Sequence, residues 1–195
     1  LYDAGGVAYA VCGISTDISD RKQAQEVLRN IAEGVSAATG KEFFQLLVKY
    51  LARTLETDYA FIGSFTDKTA TRIGTVAVYS DGKIQDNIEY DLSHTPCESV
   101  VYEQQVCCYP QGVQQLFPHD TLLAKLEIES YVGIPLIDSS GHTLGLMAVM
   151  GQKPLSGPQM VTSMLQIFAV RAKAELERQQ AEQKIREQAA LLDIT

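Results

Sequence analysis

The stretch that decides the fold occupies residues 130–150 and reads SYVGIPLIDSSGHTLGLMAVM. Its two halves are apolar runs of strand length, and the segment DSSG at 138–141 has the composition of a hairpin turn. The sequence therefore predicts two strands, over 130–137 and 143–150, that pair antiparallel.

Four further strands are predicted upstream of this hairpin from their β-branched and aromatic residues, at 59–65, 71–79, 84–92 and 106–109. A short helix is expected from Thr95 to about Gln104. Thr95 suits the N-cap, Pro96 the first helical position and Glu98 the reciprocal cap. A second short helix is expected over 121–126. The short helices thus interrupt the strand series.

Helices are predicted on both sides of the strands. The segment 41–55 has a broad apolar stripe that must bury against a sheet or another helix, formed by Phe43, Leu46, Leu47, Tyr50, Leu51 and Leu55. An earlier helix, capped by Asp20 and Gln23, carries Leu28, Ile31 and Val35 at helical spacing. A long helix begins after Pro158. Its heptad seam contains Met164, Ile167, Arg171, Ala174, Arg178, Ala181, Ile185, Gln188 and Leu192.

This order of elements resembles a GAF domain. The motifs that carry the resemblance are TPCESVV at 95–101, FPHDTLLAKL at 117–126 and the hairpin at 130–150, and the likeness covers 41–170. It implies an α+β, profilin- or PAS-like fold: an antiparallel five- or six-stranded sheet with entry and exit helices on one face and short helices over the other. It also implies a ligand pocket, for which the candidate residues are Thr95, Cys97, Val101, Phe117, Leu122, Tyr131 and Leu146.

The first residues resemble the end of a different domain. GISTDISDRKQAQE at 13–26 is similar to the closing motif of a PAS domain and its outgoing helix. We therefore expect a PAS tail over 1–19, a signalling helix over 20–40 and, after the GAF domain, an exit helix over 171–195 that leads to another sensor domain. Such arrays are typical of bacterial, most closely cyanobacterial, sensor histidine kinases. The chain is thus expected to be a regulatory part of a longer two-component kinase, which relays a signal through its helices.

The resemblance and the helix patterns together predict a homodimer. Its contact residues would be Leu28, Ile31, Val35, Ile167, Ala174, Ala181 and Ile185 on the flanking helices. The isolated strand predicted at 7–14 would pair with its copy in the second chain, because an unpaired strand leaves its backbone N–H and C=O groups without hydrogen-bond partners. The other expected partners are the adjacent PAS and kinase domains.

Composition restricts the remaining partners. The net charge is −8 and no Lys/Arg run exceeds two residues, which disfavours nucleic acid. No apolar run reaches the roughly 18 residues of a membrane span, so no membrane contact is expected. The four cysteines (Cys12, Cys97, Cys107 and Cys108) lack the spacing of a disulfide framework, which favours a reducing cytoplasm.

The sequence predicts no catalytic residues, no metal and no cofactor. None of His94, His119 and His142 has the helical, acidic setting of a phosphoaccepting histidine. Cys97 is followed by Glu98 rather than by the His of bilin-binding relatives, which disfavours a covalent bilin. The signature of cyclic-nucleotide-binding relatives is absent, and free cysteines most often behave as small apolar core residues.

Several alternatives stay open. The domain could be a small-molecule sensor in another signalling protein, such as a cyclic-di-GMP enzyme, or a thiol or metal redox sensor. A redox role needs a cysteine of lowered pKa. It could also be a ligand-free spacer: a roomy, partly polar cavity favours ligand binding, whereas a cavity filled by Phe117, Tyr131 and Met147 favours a spacer.

Overall fold

A computed structural model describes residues 38–67 and 69–192 of the chain. The PAS-like tail, the strand predicted at 7–14 and the helix carrying Leu28, Ile31 and Val35 lie outside these residues. The helices are α1 (Gly40–Thr54), α2 (Pro96–Glu103), α3 (Val113–Leu116), α4 (Thr121–Lys125) and α5 (Pro158–Leu192). The strands are β1 (Tyr59–Phe65), β2 (Arg72–Ser80), β3 (Lys83–Gln85), β4 (Glu89–Asp91), β5 (Cys107–Tyr109), β6 (Ser130–Ile137) and β7 (Thr143–Gly151).

The predicted hairpin at 130–150 is confirmed as β6 and β7, the most extensively paired strands of the described part of the chain. Asp138 closes the turn: its backbone N–H donates to the His142 carbonyl (2.8 Å), and its carboxylate accepts from the N–H groups of Ser140 (2.8 Å) and His142 (2.9 Å). A short polar side chain that satisfies turn amides explains why the DSSG composition fixes this connection.

All strand pairs are antiparallel, and the described sheet has the order β3-β2-β1-β7-β6-β5, with β4 also paired to β2. The single strand predicted over 84–92 is therefore two short ones that share one edge. Between them, Thr75 on β2 makes two bonds to Ile88: its backbone N–H donates to the Ile88 carbonyl and its hydroxyl accepts from the Ile88 N–H, both at 2.8 Å. The sheet has seven strands where five or six were predicted. They occupy six positions across the sheet, because β3 and β4 lie one after the other along the same edge of β2.

The helices α1 and α5 cover one face of the sheet, as predicted: α1 packs on β1 and β2, and α5 packs on β6 and β7. The two helices also touch, with the rings of Tyr50 and Phe168 edge to face at 5.4 Å. Fully buried side chains of this face are Phe43, Phe44, Leu47, Val48, Leu51, Val161 and Leu165.

The predicted stripe of α1 was wrong at Leu46, which is 37% exposed. Phe44 and Val48 are buried instead. A helix turns by about 100° per residue, so positions 43, 44, 47, 48 and 51 share one face and position 46 falls at its border.

The helix α5 runs for 35 residues without a break at 170, where the sequence predicted the domain to end. Its buried residues extend to Leu176, and residues 181–190 are all exposed. The helix therefore belongs to the domain in its first half and leaves it in its second. Among the described residues, none of the helices has the length and apolarity that a membrane span requires.

A candidate ligand cavity

The opposite face of the sheet holds a cavity of about 440 Å³. Its floor comes from β1, β2, β4, β6 and β7, and its walls come from the start of α2, from α4 and from the segment that joins β3 to β4. It is lined by apolar and aromatic side chains with a minority of polar groups, which is the composition of a small-molecule site.

The wall formed by α2 begins at a fully occupied N-cap. The Thr95 hydroxyl accepts from the Glu98 N–H (3.3 Å) and donates to the Leu92 carbonyl (2.7 Å), while the Glu98 carboxylate accepts from the His94 N–H (2.8 Å). Pro96 occupies the first helical position. The predicted capping pattern is confirmed, and it leaves these donors no capacity to hold an anion.

At the floor, the Cys97 thiol accepts hydrogen bonds from two phenols, those of Tyr90 (3.4 Å) and Tyr131 (3.3 Å). Burial raises the pKa of Cys97 to about 11. Burial also raises the pKa values of Tyr90 and Tyr131 well above that of a free phenol. All three groups are therefore neutral at physiological pH, and Cys97 is not an activated thiol.

Gly133 allows this arrangement. A Cβ at position 133 would lie 2.3 Å from the Tyr131 hydroxyl, closer than two such atoms can approach. The Tyr131 ring therefore lies across Gly133 along the sheet face, and this places its hydroxyl beside Cys97. Tyr131 is 1% exposed, so its ring is a fixed part of the cavity floor.

Three acidic residues, Asp86, Asp91 and Asp120, are among those that line the cavity. Asp120 caps α4, because its side chain accepts from the N–H groups of Leu122 (3.0 Å) and Leu123 (3.3 Å). Burial nevertheless raises the pKa of Asp120. Asp91 accepts from the Ser93 N–H at 3.0 Å, which lowers its pKa, and Asp86 stands exposed at the rim.

The structure places the seven candidate pocket residues in two groups. Thr95, Cys97, Leu122 and Tyr131 line the cavity. Val101, Phe117 and Leu146 do not line it. They lie in the adjoining core, where Val101 is 6% and Leu146 0% exposed and the Phe117 ring packs edge to face against Tyr109 at 5.2 Å.

Met147 was proposed as a side chain that fills the cavity, and the structure places it elsewhere. Its neighbours Leu146, Ala148 and Met150 belong to the core on the cavity face. Successive residues of a strand point to opposite faces, so Met147 faces α1 and α5.

The sequence reasoning missed several lining residues, among them Tyr59, Phe61, Tyr90, His119 and Asp120. Asp120 could have been found, since it stands at an N-cap position within the motif that named Phe117 and Leu122. The aromatic residues carry no such signal, because an alternating strand gives no indication of which of its faces borders a cavity.

The remaining described thiols give no sign of reactivity. Burial raises the pKa values of Cys107 and Cys108, which lie in the edge strand β5. Over residues 38–67 and 69–192, no three His, Cys, Asp or Glu side chains are grouped so that they could hold a metal ion.

Comparison with known proteins identifies the class. A family model described as the GAF domain matches residues 39–176, so the chain belongs to the GAF family. GAF domains are regulatory and sensory rather than catalytic, and this chain therefore contains a sensory domain. No curated protein matches the sequence.

Solved structures with the same fold include GAF-type domains from two different kinds of protein. The GAF domain of a phosphoenolpyruvate-protein phosphotransferase from Acinetobacter is 14% identical, with a TM-score of 0.66 over 88% of this chain and 99% of that one. The chromophore-binding domain of an unusual bacteriophytochrome from R. palustris is 12% identical, with a TM-score of 0.65 over 87% of this chain and 64% of that one. At these identities the likeness concerns the fold alone.

Proposed function

We infer that this chain is the ligand-binding regulatory domain of a two-component sensor histidine kinase. It would detect a small molecule in the cavity and pass the signal along α5 to the output domain. One observation carries the sensory part of this proposal: a partly polar cavity lies on one face of the sheet, and a helix that extends beyond the domain packs on the other. The kinase setting rests on the resemblance of residues 13–26 to the end of a PAS domain.

The cavity supports binding over a spacer role. Its volume of about 440 Å³ lies within the range of roughly 300–1,000 Å³ that is usual for ligand pockets. Of the three side chains that a spacer would use to fill it, Tyr131 lines the cavity, whereas Phe117 and Met147 do not. Unfilled volume in a protein interior is destabilising, so a retained cavity favours an occupant.

The sheet offers a route from the cavity to the helices. Strands β6 and β7 form part of the cavity floor with one face and contact α5 with the other. A ligand that draws α4 and the β3–β4 segment inward would bias how the sheet sits against α5. Such a ligand acts through its different affinity for the two arrangements.

A buried carboxylate joins α5 to the start of α1. Glu175 is 4% exposed and accepts from the Gly40 backbone N–H and from Arg178 (2.6 and 3.1 Å). Thr39, at the N-cap of α1, supplies no side-chain cap. Glu175 on α5 thus caps α1, and we expect the two helices to move together.

We also propose that the chain forms a homodimer through α5. The structure divides the residues of the predicted heptad seam into an engaged group and an exposed group. Met164, Arg171 and Arg178 are engaged within the domain: Met164 is buried, the Arg171 guanidinium lies 5.3 Å from the Phe43 ring centre, and Arg178 pairs with Glu175 and Glu182.

The exposed residues of the seam are Ile167 (50%), Ala174, Ala181 and Ile185 (66%). Ile167, Ala174 and Ala181 repeat at heptad spacing, and Ile185 follows four residues later on the same continuous helix, which suits a second copy of that helix. Leu28, Ile31 and Val35 would extend the contact in the longer protein.

Light scattering after size exclusion tests this pairing. We expect a concentration-dependent dimer that becomes monomeric when Ile167 and Ile185 are both changed to Asp. The matched control is Leu116→Asp, at a position that is 59% exposed on α3, away from the seam. A chain that is monomeric at every concentration would contradict the pairing.

Native mass spectrometry and absorption spectroscopy of the purified chain test the ligand-binding half. A co-purified molecule, lost when Tyr131 and Leu122 are replaced by larger side chains, would support it. A fragment library from which no compound shifts the amide resonances of cavity residues would contradict it.

One alternative output remains, since the same domain could control another signalling enzyme, such as a cyclic-di-GMP enzyme. The raised thiol pKa values of Cys97, Cys107 and Cys108 argue against a redox sensor. Free cysteines suit the reducing cytoplasm that we propose as its location, beside the PAS and kinase domains of the same chain.

A further inference from the structure

The charges around the cavity are of one sign. Its lining includes three acidic residues, Asp86, Asp91 and Asp120, and the imidazole of His119, and among the described residues that line it there is no Lys or Arg. Arg72, on the neighbouring strand β2, is already bonded to Glu89 at 2.8 Å. An anion in this cavity would meet repulsion without a compensating cation.

Backbone donors do not offset this repulsion. The N–H groups of Leu122 and Leu123 at the start of α4 are occupied by the Asp120 carboxylate. The Glu98 N–H at the start of α2 is occupied by Thr95. A helix N-terminus can bind a phosphate or a carboxylate through unoccupied N–H groups, and the three N–H groups named here are occupied.

The walls are suited to a flat ligand. Rings of Tyr59, Phe61, Tyr90 and Tyr131 line the cavity, with Phe61 and Tyr90 edge to face at 6.4 Å between centres. Aromatic faces attract cations as well as other rings. A ring that stacks on them can direct a positive group toward the carboxylates.

Among the three acidic residues, Asp120 would be stabilised most by a nearby positive group. Its carboxylate is half-buried and has two backbone hydrogen bonds but no cationic partner among the described contacts. Keeping a charge partly buried costs free energy that a nearby opposite charge offsets.

We propose that the cavity binds an aromatic or heteroaromatic molecule that carries a protonated amine or amidine group. The ring lies against the tyrosines of the floor, and the cation lies between Asp120 and the rim carboxylates. This inference rests on the proposed sensory function, because it names the chemical class of ligand for the same cavity.

Three probes of matched shape test it: benzamidine (cationic), benzamide (neutral) and benzoate (anionic). Each is titrated into the isotopically labelled 195-residue chain at neutral pH, and amide shifts report both affinity and position. We expect benzamidine to shift cavity resonances and to bind at least about tenfold more tightly than benzoate, since unit charges a few ångströms apart change affinity by at least that factor.

Variants locate the charge that is responsible. Asp120→Asn keeps the N-cap acceptor and removes the charge. Asp86→Asn removes a second charge, at the rim. The variant with both changes should bind benzamidine about tenfold more weakly than the unmodified chain. The control is Asp81→Asn, which removes one charge outside the cavity lining at a positive-φ position that Asn accepts. The control should bind benzamidine like the unmodified chain.

The outcomes separate the two proposals. Benzoate binding in the cavity as tightly as benzamidine, or an unchanged benzamidine affinity in the double variant, overturns the ligand class and leaves the sensory function standing. If none of the three probes binds, a mixed fragment library decides: cavity hits enriched in cations support the class, and hits without that enrichment overturn it. A library without any cavity hit overturns the sensory function as well.

Discussion

The sheet face beneath α1 and α5 is filled by aromatic and aliphatic side chains, whereas the face beneath α2 and α4 encloses about 440 Å³ between tyrosines and carboxylates. Long amphipathic helices seal the first face. Helices of eight, four and five residues, joined by loops, cover the second. We infer a division of tasks between the two faces: the filled face contributes more to the stability of the fold, and the hollow face provides a site that can change shape.

The largest expected effect tests the filled face. Phe168→Ala removes a ring that is 4% exposed and packed on Tyr50, and it should lower the free energy of unfolding by about 3–5 kcal/mol. The matched change on the hollow face, Leu122→Ala, should cost about 1 kcal/mol or less because Leu122 is partly exposed and borders the cavity. Chemical denaturation measures both, and equal losses would contradict the division of tasks.

Gly133→Ala should have the next largest effect. The new methyl group would collide with the Tyr131 ring, and such overpacking costs about 1–3 kcal/mol. Changing Tyr131 to Leu in the same chain should recover most of that loss. A double-mutant cycle measured by denaturation checks this coupling, and simple additivity of the two changes would show that Tyr131 is not what Gly133 accommodates.

Glu175→Gln probes the link between the two helices of the filled face. The bonds from Arg178 and Gly40 hold the pKa of Glu175 below its ordinary value, so its stabilisation is present above the unfolded pKa of about 4.3 and is lost as the pH falls. At pH 7 the variant should be less stable by about 1–2 kcal/mol, a modest figure because Arg178 is 42% exposed and water screens the pair.

Thermal and urea unfolding at pH 7 and at pH 3.5 measure this effect. The difference in free energy of unfolding between the unmodified chain and the Glu175→Gln variant should be smaller at the lower pH. Glu177→Gln, which removes the same charge two residues further along α5, serves as the control and should cost less than about 0.5 kcal/mol. A pH-independent loss in the Glu175 variant would assign its role to packing rather than charge.

The smallest effect is expected for Asp120→Asn, on the hollow face. Asn accepts the same N-cap bonds, so the free energy of unfolding should change by less than about 0.5 kcal/mol, whereas Asp120→Ala should cost about 1 kcal/mol. Denaturation midpoints of the two variants provide the measurement. If Asn destabilised the protein as much as Ala does, the charge of Asp120 would serve the fold rather than a ligand.

Much of the fold could be predicted because its signals are local. The turn at 138–141 is set by Asp138 and its neighbours, and the start of α2 by Thr95, Pro96 and Glu98. The strand at 84–92 was not predicted correctly, since at Ile88 a hydroxyl of β2 takes the place of a backbone acceptor, and this contact between residues distant in the chain leaves no local signal. The helix α3 was missed, because a four-residue helix leaves no periodic pattern to detect.

The candidate site was predictable only where a motif marked it. Thr95, Cys97, Leu122 and Tyr131 stand in segments that resemble the family. In α5 the sequence showed one seam, but it could not show that Met164, Arg171 and Arg178 are engaged within the domain while Ile167 and Ile185 stay exposed. Helical spacing reports which residues share a stripe, not what covers it.

The sequence alone was enough to predict most of the elements, the β6–β7 hairpin, the capped start of α2 and the motifs that resemble the GAF family. Each of these depends on interactions between residues close together in the chain. The tertiary structure decided the cavity and its charge, because Tyr59, Tyr90, Asp120 and Tyr131 meet only when antiparallel pairing brings distant strands together. It also decided which face is hollow, since Gly133 lets one tyrosine lie flat across the sheet.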